Sequence, residues 1–131
     1  MIDSFVNKFM KDKDKLEKAF KEEHPENYLA VVKAVIGLIN PNDEYELPDK
    51  DRIHVIDDGD YQGTLLFVIA GIGYQPSEYW YVKVYYGSCS GCDTLQSISG
   101  YSDEPPTDEQ VKDYMTLALH IVQNLKSMQE V

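Results

Sequence analysis

From residue 64 to residue 72 the chain is apolar on both alternating sets, Leu65, Phe67 and Ile69 on one and Leu66, Val68 and Ala70 on the other. A strand of this kind is covered on both faces and belongs at the centre of a sheet. Its neighbours are legible on either side. Residues 52–57 alternate, with Ile53 and Val55 facing one way and His54 and Ile56 the other. The turn-rich stretch 58–63 joins them as a hairpin. After Gly71 and Gly73 the chain turns through residues 74–78 into a third strand, 79–86. That strand sends Trp80, Val82, Val84 and Tyr86 to one face and Tyr79, Tyr81, Lys83 and Tyr85 to the other.

Helical patterns flank the strands. Ile2, Phe5, Val6, Phe9, Leu16 and Phe20 recur at helical spacing, and residues 11–15 form either a solvated face or a break between two short helices. His24-Pro25-Glu26 marks a stop and a restart, because proline suits the first position of a helix. Tyr28, Leu29, Val32, Val35, Ile36 and Ile39 make a broad stripe that ends at Asn40-Pro41. Residues 42–50 read as an acidic linker. Thr107 with Gln110 has capping-box spacing, and Val111, Tyr114, Met115, Ala118, Ile121, Val122 and Leu125 give the last helix one apolar face. The expected fold is therefore a single α+β domain over residues 1–131. It has two N-terminal helices, a three-stranded antiparallel meander, and a C-terminal amphipathic helix packed on the sheet. The second and last helices are expected to share the Trp80 face.

Charge narrows the function classes. The first 24 residues balance six lysines against six acids, so the whole net charge of -11 falls on the remainder. An acidic body repels a phosphate backbone, which argues against direct nucleic-acid binding and suits a basic protein partner. The N-terminus shows no secretory signal pattern, and no apolar run approaches the ~20 residues that span a bilayer. A cytoplasmic protein is expected, with no membrane association.

The two cysteines stand in one loop, Tyr86-Gly87-Ser88-Cys89-Ser90-Gly91-Cys92-Asp93-Thr94. Three readings of Cys89 and Cys92 stay open. A redox pair needs two thiols spaced C-x-x-C at a helix start, and Asp93 with Gln96 has the spacing to cap a short helix there. A zinc site needs about four ligands, so Asp93, His54 or a second subunit in a homodimer would have to complete it. The third reading is a loop shaped by its glycines, with the cysteines as small packed residues.

At residues 58–64 and 86–95 the sequence resembles small uncharacterised proteins encoded by tailed bacteriophages, through the Y-G-S-C-S-G-C-D-T string above all. The likeness covers roughly the middle third of the chain and brings no activity with it. It implies a phage product acting in the infected bacterial cytoplasm, where short acidic proteins often act as inhibitors or adaptors of host proteins.

No complete catalytic set stands in family spacing, since the three histidines lie outside any nucleophile motif. The chain therefore reads as a binding protein rather than an enzyme. Its candidate surface is Tyr79, Tyr81, Lys83 and Tyr85 together with the acids Asp57, Asp58 and Asp60, unless the N-terminal helices cover the tyrosines. The alternative is a metal-binding or thiol-redox protein built on Cys89 and Cys92. Metal analysis with thiol titration separates these. A zinc site predicts stoichiometric metal that is lost in Cys89→Ser, whereas a redox pair predicts two titratable thiols, one of low pKa, without metal.

Overall fold

The computed structural model describes residues 2–44, 47–57, 63–73, 78–86, 95, 98 and 104–127. Two helices come first, α1 (Ile2–Glu22) and α2 (Tyr28–Ile39). Three strands follow, β1 (Pro48–Asp57), β2 (Gly63–Gly71) and β3 (Tyr79–Tyr86). A third helix, α3 (Asp108–Gln123), leads into a two-residue strand, β4 (Lys126–Ser127). The class is α+β, and the sheet has four strands among the described residues where three are expected.

α1 runs unbroken through residues 11–15, which excludes the two-helix alternative. Phe5, Phe9, Leu16 and Phe20 are buried, and Lys11, Lys13, Asp14 and Lys15 lie on the solvated side. Each buried side chain contributes about 1.5–3 kcal/mol, far more than the exposed Glu17–Lys21 ion pair. α2 starts later than Pro25. Its N-cap is Asn27, whose side chain accepts a hydrogen bond from the Ala30 amide at 2.8 Å. A cap that satisfies an exposed amide outweighs a proline that only lacks one. α3 has the expected capping box, with the Thr107 hydroxyl accepting from Gln110 N and the Gln110 side chain accepting from Thr107 N.

His24 ties the α1–α2 linker to α3. Its Nε2 lies 2.9 Å from the carbonyl of Glu104, which only accepts, so that nitrogen carries the proton. In the neutral ring Nδ1 then accepts from the Tyr114 hydroxyl at 2.6 Å.

β1 begins at Pro48, four residues before the alternation does. Proline is tolerated as the first residue of a strand, and a buried asparagine holds it there. Asn40 donates from Nδ2 to the Pro48 carbonyl at 3.0 Å and accepts at Oδ1 from the Glu44 amide at 2.8 Å. The register then jumps from Pro48 opposite Gly71 to Ile53 opposite Ile69. Within this irregular stretch Arg52 reaches Asp49 at 3.4 Å and donates to the carbonyl of Gly73 at 2.6 Å. Gly73 has φ 145°, which a side chain would resist.

The sheet order is β1-β2-β3-β4, antiparallel throughout. Leu65, Phe67 and Ile69 stand opposite Val84, Val82 and Trp80, and this set faces the core. The ring contact to Trp80 comes from Phe5 of α1, edge-on at 6.2 Å. α3 packs chiefly on α1, where Phe20 meets Tyr114 at 5.4 Å, and α2 lies against β1. The other parity of β2 is only half-buried at Leu66 and Val68, so the expectation of cover on both faces holds for the helix side alone.

Replacing Asn40 with alanine leaves the Pro48 carbonyl and Glu44 amide without their partner. Urea unfolding should show a loss of about 1–3 kcal/mol. Asn42→Ala, at an exposed neighbour, should stay within about 0.5 kcal/mol.

Candidate functional site

Alternation along β3 sends Tyr79, Tyr81, Lys83 and Tyr85 away from the core, and the register supplies their neighbours. Ala70, Val68, Leu66 and Thr64 stand opposite them on β2. Across β1, His54 lies beside Val68 and Ile56 beside Leu66. On the far side Lys126 of β4 pairs with Tyr81. One row therefore runs Lys126, Tyr81, Val68, His54 through all four strands. The next runs Lys83, Leu66, Ile56.

This face is open. Tyr85 is 74% exposed, Ile56 45% and Tyr79 40%, while His54 and Lys83 are also on the surface. The aromatic contact that anchors α1 is made on the opposite face, so the alternative in which the N-terminal helices cover the tyrosines does not hold. The middle is aliphatic and the flank is aromatic and cationic. Tyrosine in such a setting presents a large contact area with two side-chain torsions to fix, which suits recognition.

The charges are sorted differently from the expectation. Asp57 stands opposite Leu65, on the core parity of the sheet, so the register separates it from the tyrosine set. None of the register-paired positions on the tyrosine face is an aspartate or glutamate, although the chain carries a net -11. Asp58 and Asp60 lie outside the described residues. The same is true of Cys89, Cys92 and Asp93, so of the expected metal or redox set only His54 has a place here. It stands exposed on the open face. Among the described residues no group of three or more His, Cys, Asp or Glu side chains gathers as a metal would require. No helix among them is long and apolar enough to cross a membrane.

Lys126 is the member that sequence reasoning missed. A two-residue strand is too short to alternate, and nothing after α3 announces it. Compared with known proteins, the chain matches no family model, no curated protein and no solved structure.

If the face is free surface, Tyr85 does no structural work. Tyr85→Ser should leave the unfolding free energy within about 0.5 kcal/mol, whereas Trp80→Ala should cost about 3–5 kcal/mol in the same denaturant titration.

Proposed function

We propose that this chain is a small non-catalytic binding protein that modulates or inhibits a host protein through the open face of its sheet. The observation that carries the reading is the exposure of Tyr79 and Tyr85 on a sheet face with an aliphatic centre. Side chains that add nothing to the core and keep a large apolar body in water are the usual raw material of an interface. The helices form the rigid backing, and in this reading α3 lies along the sheet with Leu117 and Ile121 close to Val82 and Val84. The resemblance to tailed-bacteriophage proteins supplies the setting, a bacterial cytoplasm during infection.

Affinity capture from a bacterial host lysate, compared between wild type and a Tyr79→Ala/Tyr85→Ala double variant, tests the proposal. A specific protein should be retained by the wild type and lost from the variant, with melting temperatures of the two within a few degrees. The affinity for that purified partner should fall at least about tenfold in the variant. Equal retention by both proteins would remove the tyrosine face from the interface.

A further inference from the structure

β4 covers β3 at Trp80 and Tyr81 and goes no further. From Val82 onward no described strand pairs with the outer edge of β3, and the C-terminal turns of α3 stand off from it. The space between holds a cavity of about 180 Å³, where Val82 and Val84 meet Leu117 and Ile121. A second cavity of about 340 Å³ lies alongside, lined by Tyr81, Lys83, Tyr85, Asn124 and Lys126. Lys83, Tyr85 and Asn124 border both, so the two are one groove that follows the strand edge. Its floor is aliphatic apart from the buried ring of Tyr28. Among the described residues that line it, the rim carries lysine ammoniums, tyrosine hydroxyls, His120 and an asparagine, and no carboxylate.

We infer that this groove receives an extended, alternately apolar and acidic segment of a protein partner, added as a strand along β3. Strand addition takes its affinity from main-chain pairing at an open edge and its specificity from alternate side-chain sites. Both are present. Residues of one parity would meet the Val82–Val84 floor, and those of the other would meet Lys83 and Lys126. These lysines are diagonal neighbours across the β3–β4 pair, so their side chains can reach one carboxylate between them. Among the described residues the ion pairs are Glu17–Lys21 and Asp49–Arg52, and neither involves Lys83 or Lys126. An acidic peptide fits better than a nucleic acid. A segment with one or two carboxylates engages a local cationic rim, whereas a phosphate polyanion also feels the -11 body. The same argument sets this contact apart from the basic partner that overall composition favours.

The inference rests on reading the chain as a binding protein, and the experiment separates the two. Isotope-labelled full-length protein is titrated with an eight-residue peptide alternating valine and glutamate, followed by amide chemical shifts. Saturable shifts should centre on residues 82–85 and 124–127, with affinity reduced about tenfold in Lys83→Glu/Lys126→Glu. A valine–lysine peptide should give no saturable shift, and neither should an eight-nucleotide oligothymidylate. Absence of shifts with the glutamate peptide, shifts elsewhere, or oligothymidylate binding in the groove would each overturn the inference. If a captured partner depends on Tyr79 and Tyr85 but binds Lys83→Glu/Lys126→Glu as well as wild type, the binding-protein reading stands and the groove does not.

Discussion

The pairing of β2 with β3 is the constraint on which everything else depends. With Ile69 opposite Trp80 and Phe67 opposite Val82, one parity supplies the core and the other the open face. A slip of one residue would turn Trp80 into water and bring Lys83 against the helices, because side chains change faces with every residue. The cost of burying an ammonium and exposing an indole makes that alternative untenable. Core and candidate interface are therefore two results of one register, and selection on either holds the other in place.

What the sequence disclosed follows from which signals are local. The capping box at Thr107 and Gln110 is a four-residue interaction, and it forms as read. The parity of Tyr79, Tyr81, Lys83 and Tyr85 is equally local. Alternation says which side chains share a face but not what covers that face, so the openness of the tyrosines needed the tertiary arrangement. Pro25 misled because a preference for the first helical turn yields to a better cap at Asn27. Pro48 misled in the opposite sense. A proline among acids resembles a linker, yet the Asn40 side chain, eight residues away, draws it into the sheet.

The distribution of charge shows why a net value is a poor guide to a binding surface. A total of -11 describes the field at a distance, where it governs solubility and encounter. At contact range a partner meets individual groups, and at the register-paired positions of the tyrosine face these are lysines, a histidine and hydroxyls. A protein arranged this way repels other acidic bodies as wholes while accepting a short acidic strand at one edge. Such opposition between far field and near contact favours selectivity over affinity.

Trp80 is the sole tryptophan of the chain, is 1% exposed, and sits edge-on to Phe5, with its indole nitrogen lacking a hydrogen-bond partner among the described residues. The molecule thus carries a built-in optical probe at the junction between its first helix and its sheet. Emission excited at the red edge, away from the ten tyrosines, follows the docking of that helix. A dry indole emits at short wavelength, and water reaching it shifts the spectrum when the helix lifts. The open face can thus be occupied or altered while the fluorophore on the other side independently reports whether the fold beneath it has changed.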